Sequence, residues 1–375
     1  MIKYIIYLDT KIKGALYQTI NYFKQGVFDE NTLLLYKEYV KIDRLFKKEL
    51  KKYNINFQSF KRYKDMPNID GKIVFYLFNA QSNCRIVANR KAKHIFVTHG
   101  ESNKVSSIKP IIRIYDHIIV AGDLGIDRYL YSEIFYKDDI QRNKVIKMGN
   151  TFIGDAKYSY NNFSKAILYA PTWEGGVIEE NYSSLDKSLK SFITLNKIMK
   201  NHNIQKVYIQ PHPNTGHRDI RYIKYLLDGL KYLAKENKNC KIILDGFIFK
   251  NIYILLLKFY NNIILSNNKQ CKDISFALTD ISAMEIQLLS KNIPVYIFSV
   301  NEYNLISFNE NVTKHYKNYN INNLDLKPII LDKEYKNYSI SYQNEQCKKI
   351  SLNKRIEWLA KYIIFSRCKN DNLPD

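Results

Sequence analysis

Short apolar runs rich in β-branched and aromatic residues recur along the chain, each followed by a polar turn and a longer segment with helical spacing. The runs IKYIIYL, KIVFYLF, KHIFVTH, HIIVAG, KAILYA, KVYIQ, KIILD, NIILS, DISFALT and IPVYIF read as strands. They are nearly continuous in hydrophobicity, which fits strands buried on both faces, and their alternation with helical segments predicts βαβ units with parallel sheets. The polar stretch AKYSYNNFSK, residues 156–165, divides the first set of runs from the second. The expected organisation is therefore an N-terminal domain over 1–157 and a C-terminal domain over 158–349. After Phe298 the pattern gives way to a region rich in Asn, Tyr and Lys that reads as loops and short irregular pieces. Helical spacing returns in SLNKRIEWLAKYIIFSRC, where Ile356, Leu359, Ile363 and Ile364 fall on one face. This terminal helix, over 350–368, is expected to pack back onto the N-terminal domain; the alternative is a membrane surface, since Lys354, Arg355 and Lys361 flank its apolar face.

A length of 375 residues agrees with two domains, and 46% hydrophobic with 25% charged residues places the chain in the globular class. Charge changes the picture more. Lys and Arg outnumber Asp and Glu by 58 to 36, a formal net charge of +22, which attracts anions such as nucleic acid, acidic lipid or a phosphate-rich substrate. Compositional bias toward Lys, Asn, Ile and Tyr is an equally good source of that excess, so charge alone names no partner. The five cysteines, Cys84, Cys240, Cys271, Cys347 and Cys368, are scattered without metal-ligand spacing, which fits reduced thiols and no structural zinc. The apolar run near the N-terminus is too short for a signal peptide, and FIFKNIYILLLKFY is interrupted by Lys250 and Lys258.

In open α/β sheets ligands sit at the carboxyl ends of strands, so the residues after each run are where chemistry is expected. Four such places stand out. THGESNK, residues 98–104, sets His99 and Gly100 at a strand end, with Lys104 close behind. A histidine there is suited to taking a proton from an attacking hydroxyl. YAPTWEGG, residues 169–176, offers the Thr172 hydroxyl and the Trp173 ring, the latter either stacking on a ligand or filling the sheet edge. QPHPNTGHRD, residues 210–219, holds His212 between two prolines and adds His217 and Arg218 as anion contacts. In LTDISAMEIQ a strand ends at Thr279 and Asp280, and Ser282 and Ala283 open a helix whose N-terminal N–H groups suit a pyrophosphate; Ser282 alone also fits a helix cap.

Together, HGESNK, YAPTWEGG, QPHPNTGHRD and TDISAMEIQ resemble the ordered motifs of the CDP-glycerol glycerophosphotransferase family, which extends or primes teichoic-acid-type and capsule polymers. The resemblance covers roughly residues 90–300, with MGNTFIGDAK matching a further family turn at Gly149 and Asp155. It departs at Ala283, where the family has a second serine, at Glu174, where many relatives have arginine, and near Gln287. The donor stays open between CDP-glycerol, another CDP-alcohol such as CDP-ribitol, and a nucleotide sugar. The resemblance implies an α/β GT-B fold of two Rossmann-like domains with parallel sheets facing a central cleft. It implies His99 as general base, with His212, Ser282 and helix N–H groups stabilising phosphoryl charge. Thr172, Trp173, His217, Arg218, Thr279, Asp280, Ser282 and Ala283 would bind the donor, and Gly100 and Lys104 an acceptor phosphate. No metal or other cofactor is implied. The implied partners are a nucleotide-activated donor, an anionic polymer or lipid-linked glycan acceptor and an anionic membrane surface, not nucleic acid. The implied place is the cytoplasm, peripherally on the inner face of the membrane. The competing readings are a GT-B glycosyltransferase using a CMP-sugar and a non-catalytic basic binding protein.

Overall fold

A computed structural model of the chain describes residues 2–98, 100–175, 180–247, 251–266, 270–298, 310–318, 320–321, 333–340 and 345–370. Among the described residues fifteen strands form three parallel sheets: β1 Tyr4–Leu8, β2 Thr32–Lys37, β3 Phe57–Phe60, β4 Ile73–Tyr76, β5 Lys93–Phe96, β6 His117–Val120, β7 Val145–Lys147, β8 Tyr158–Tyr160, β9 Ala166–Ala170, β10 Lys206–Ile209, β11 Lys241–Asp245, β12 Ile263–Ser266, β13 Lys272–Ile274, β14 Phe276–Asp280 and β15 Val295–Phe298. The chain divides into two compact units, one of residues 1–101, 107–154 and 337–375, the other of residues 102–106 and 155–336. The fold class is α/β with parallel sheets, each unit Rossmann-like.

In the first unit the seven-stranded sheet runs β3-β2-β1-β4-β5-β6-β7. Every residue of β1 is buried, and alternate side chains serve opposite faces. Tyr4, Ile6 and Leu8 join the cluster of Leu16, Ile20 and Phe28, whereas Ile5 and Tyr7 join that of Ile86, Ile112 and Tyr129. The terminal helix Arg355–Asn370 closes the first of these clusters with Ile356, Leu359 and Ile363. Its apolar face is therefore occupied within its own unit. Ile364 lies about 100° further round the helix than Ile363 and is 61% exposed, unlike its placement in the sequence pattern. Arg355 anchors the helix start by donating to Asn150 Oδ1 at 2.8 Å and Thr151 Oγ1 at 3.0 Å.

The second unit has a six-stranded sheet in the order β12-β11-β10-β9-β14-β15 and a two-stranded pair, β13-β8. The run DISFALT, a single strand by pattern, divides at Ser275: β13 pairs with β8, and β14 lies beside β9 in the larger sheet. Ser275 makes the break by donating both its N–H and its hydroxyl to Ala166 O, at 2.9 and 3.2 Å. The helices Lys190–Asn201 and Arg221–Glu236 cover one face of this sheet, with Phe192, Leu195, Leu226, Leu230 and Leu233 buried among Ile167, Val207 and Ile242. Among the described residues no helix is long and apolar enough to cross a membrane.

Gly229 sits mid-helix because Phe192 occupies the space a side chain would need; an added Cβ would lie 2.1 Å from Phe192 Cε2. Gly229→Ala gains about 1 kcal/mol of helix propensity but forces this ring aside, and overpacking of that kind costs about 1–3 kcal/mol. A lower denaturant midpoint is the expected outcome, and an unchanged or raised one would show that the ring relocates freely.

Candidate functional site

In the six-stranded sheet the chain passes from β9 outward through β10, β11 and β12, then returns to the other side of β9 as β14 and β15. The crevice outside the carboxyl ends of β9 and β14 is thus the topological switch point of the second unit, the place where this architecture binds ligands. Thr172 follows β9 by two residues, and Asp280 ends β14.

Asp280 is fully buried and one of its carboxylate oxygens joins the two strand ends. Oδ2 accepts from Thr172 N at 2.6 Å and from Ser184 N at 3.1 Å. Burial pushes its pKa up to about 7, against the opposing pull of hydrogen bonds from Ser184 and Thr172 and of the Lys104 charge. Its second oxygen, Oδ1, is buried without a hydrogen-bond partner, as is the Thr279 hydroxyl. Lys104 closes the arrangement: Nζ donates to Thr172 Oγ1 at 2.7 Å and lies 5.6 Å from the centre of the Tyr182 ring. Desolvation of this ammonium lowers its pKa to about 8, although Asp280 and Glu180 pull it upward.

Segment 102–106, which carries Lys104, belongs to the second unit and is tied down on both sides of the lysine. Asn103 Nδ2 donates to Tyr316 Oη at 2.7 Å and Tyr335 Oη at 3.0 Å, and both tyrosines donate to the buried carboxylate of Glu285, at 3.0 and 3.1 Å. On the other side Val105 N donates to Tyr182 Oη at 2.9 Å. The preceding residue Glu101 is held in the first unit by Arg128 and by Ala121 N, the latter at 3.0 Å. His99 lies outside the described residues. The residues on either side of it, Thr98 and Gly100, both have positive φ, 68° and 116°.

His212 takes its position from the loop after β10. Its N–H donates to Pro171 O at 3.0 Å, its Nδ1 accepts from Asn214 N at 3.1 Å, and its ring stacks on Trp173 with centroids 5.8 Å apart. Burial, helped by the Lys104 charge, lowers its pKa to about 3. The ring is therefore neutral at ordinary pH, and because Nδ1 accepts, the proton resides on Nε2, which is a hydrogen-bond donor. One face of Trp173 is committed to this ring. His217 and Arg218, further along the loop, are exposed.

The residue that shapes this loop is Glu174. Buried to 7% exposure, it accepts from Gly216 N at 3.0 Å, Arg218 N at 2.9 Å and Asp219 N at 3.1 Å. Gly175 beside it has φ +71°, and a Cβ there would meet Glu180 O at 2.4 Å. Ser282 holds the cap position of helix Ala283–Ser290 but makes no side-chain capping bond. The structure thus brings Lys104, Thr172 and Asp280 together, sets His212 against Trp173, and leaves His217 and Arg218 toward solvent. No cluster of metal-ligating side chains occurs among the described residues. Glu174 entered the sequence reading only as a departure from the family motif, not for its hold on the 210–219 loop, and Tyr182 and Ser184 were not picked out by sequence; their only local signal is that they follow the TWEGG turn.

No family model and no curated protein matches the chain. Among solved structures it is similar to Anabaena Alr3699/HepE in complex with UDP, with 10% identity over 96% of this chain and 100% of that one and a TM-score of 0.49. It is similar to S. aureus MnaA in a co-structure with UDP, with 12% identity over 96% and 97% and a TM-score of 0.46. A third is the lipopolysaccharide outer core galactosyltransferase WaaB in its apo form, with 10% identity over 97% and 99% and a TM-score of 0.43. Likenesses of this degree say nothing of ligand or reaction.

The raised pKa of Asp280 has a consequence for stability. The folded protein holds a proton on this group up to about pH 7, whereas the unfolded chain releases it near the ordinary aspartate value of 3.8, so its contribution to stability falls as pH rises between those values. Asp280→Asn removes that dependence while keeping an oxygen for the two N–H donors. Denaturant midpoints taken near pH 5 and near pH 8 should therefore shift relative to wild type in favour of the variant at the higher pH. Parallel behaviour at both would refute a strained, buried carboxylate.

Proposed function

We propose that the protein is a GT-B transferase that moves glycerol phosphate from CDP-glycerol to a hydroxyl of a membrane-linked glycan or a teichoic-acid- or capsule-type acceptor, releasing CMP. The observation that carries this reading is the desolvated Lys104 ammonium, held on the Thr172 hydroxyl at the switch point of the second unit. A cation that is desolvated and, among the described residues, without a direct ion pair is suited to an anionic leaving group, and the resemblance of the four ordered motifs supports CDP-glycerol as the donor.

In this reading the acceptor hydroxyl gives its proton to His99 and attacks the phosphorus that bears glycerol. The bond from that phosphorus to the bridging oxygen breaks, and its electron pair leaves on the phosphate of CMP. Lys104 and the Nε2–H of neutral His212 meet the negative charge that develops, and Ser282 with the N–H groups of its helix adds further donors. Thr172 and Trp173 position the donor, Trp173 through its hold on His212. Asp280 and Thr279 act from beneath, Asp280 by fixing the Thr172 backbone, while His217 and Arg218 reach the donor from the solvent side. Ala283 and Gly100 contribute backbone at close approach. In this reading the chain's own cations neutralise the phosphates and no metal or other cofactor is required, so EDTA should leave turnover intact. A net charge of +22 draws both an anionic acceptor and the acidic inner face of the cytoplasmic membrane.

Lys104 is charged below about pH 8 and loses its proton above it. The alkaline limb of kcat/KM should therefore fall near pH 8, and that of kcat at higher pH, because bound phosphate favours the ammonium. Lys104→Gln should abolish the limb, and His99→Ala should lower kcat about 10²–10⁴-fold with CMP binding retained. Mass spectrometry of products from CDP-glycerol and a panel of CMP- and UDP-sugars tests the donor. An added glycerol phosphate supports the assignment; transfer from a nucleotide sugar alone overturns it.

A further inference from the structure

The first unit has its own topological switch point, between β1 and β4, where the chain has built β2 and β3 on one side and turns to the other. The loops following β1, β2, β3 and β4 place a polar cluster there. Asp9 lies at its centre: Oδ1 accepts from Tyr39 Oη at 2.5 Å and Oδ2 from Tyr63 Oη at 2.6 Å, with a further hydrogen bond from Ser82. Burial raises the pKa of this carboxyl, but the three hydroxyls and the nearby Lys37 outweigh that and hold it below the usual aspartate value.

Three cations surround the same two tyrosines. Lys11 Nζ lies 5.1 Å from the centre of the Tyr39 ring, and Lys37 Nζ 5.4 Å from Tyr39 and 4.7 Å from Tyr63. The Arg85 guanidinium lies 4.5 Å from Tyr63. Among the described residues none of the three forms an ion pair. Other acidic side chains of these loops are engaged elsewhere, Glu38 with Ser59 and Lys47, and Asp65 with Arg62. One carboxylate, already saturated by hydroxyl donors, faces three cations. With one carboxylate to three cations the cluster carries excess positive charge, and the tyrosine rings offset only a part of it, about 0.5–1 kcal/mol each at exposed sites.

We propose that this cluster is a subsite for the acceptor, binding a phosphate group of a phosphate-bearing glycan chain through Lys11, Lys37 and Arg85. Asp9 is its organiser: by anchoring both phenols it fixes the rings over which the cations sit, and its own charge keeps them gathered in the free protein. The identity of the ligand as acceptor rests on the transferase reading above, whereas the anion site itself does not.

The two are separated by calorimetric titration of the full chain with inorganic tripolyphosphate in the presence of saturating CMP. Wild type should bind tripolyphosphate and the Lys37→Gln/Arg85→Gln variant at least 10-fold more weakly, with CMP affinity the same in both. The charge-preserving Lys37→Arg/Arg85→Lys variant should retain binding, which separates loss of charge from loss of fold. Neutral maltotriose at equal concentration should not compete. Absence of tripolyphosphate binding in wild type, affinity unaffected by the double Gln substitution, or competition by maltotriose would each overturn the proposal. A wild type that fails to bind CMP, yet binds tripolyphosphate in a Lys37- and Arg85-dependent way, would remove the donor assignment and uphold this site.

Discussion

The contact on which the second unit's site depends is that of the Lys104 ammonium with the Thr172 hydroxyl, above the buried carboxylate of Asp280. None of these groups is comfortable alone. Asp280 is fully buried, with one oxygen bonded to two backbone N–H groups and the other without a hydrogen-bond partner, and Lys104 is desolvated without forming a direct ion pair among the described residues. The cost of burying these groups is tolerated because β9 and β14 lie side by side in fixed register, with Leu168 opposite Ala277 and Ala170 opposite Thr279. In the proposed reading an arriving phosphate would relieve the lysine, so that binding energy would be gained where folding left it uncompensated.

Around that contact the charge pattern is consistent. Glu174 is spent entirely on backbone N–H groups of the 210–219 loop, so it fixes that loop without facing a ligand. His212 is neutral and oriented by Asn214 N, so it offers a directed N–H where a charged imidazolium would have added to the repulsion from Lys104. Segment 102–106 is pinned by Asn103 and Val105 at two separate points, which fixes the lysine between them. The lowered pKa of Lys104, the neutral His212 and the buried Asp280 follow from one cause, exclusion of water from the strand ends.

Most strands were legible because a buried parallel strand is written in a short local run. The exceptions are instructive. TLLLYK, now β2, runs directly into the helical pattern that follows it, FQSF and YSY, now β3 and β8, are too short and polar to stand out, and VIK, now β7, is only three residues long. Ser275 divides one apolar run between two sheets by hydrogen bonds to Ala166, more than one hundred residues earlier in the chain. At the site, Thr172, His212 and Asp280 were visible because each directly follows or ends a strand. Glu101 and Asn103 had no readable purpose, since their partners Arg128, Tyr316 and Tyr335 are distant in sequence. The Asp9 cluster was illegible for the same reason: Asp9, Tyr39, Tyr63 and Arg85 come from four successive loops and meet only when the sheet is built.

The central claim is that Lys104 is a desolvated cation awaiting a phosphate. It is tested most directly by following its side-chain resonances with pH by NMR, using Lys104→Arg to assign them. The account predicts a midpoint near pH 8 in the free protein that moves upward when CMP is added. A midpoint near the ordinary lysine value of 10.5, unmoved by CMP, would contradict it.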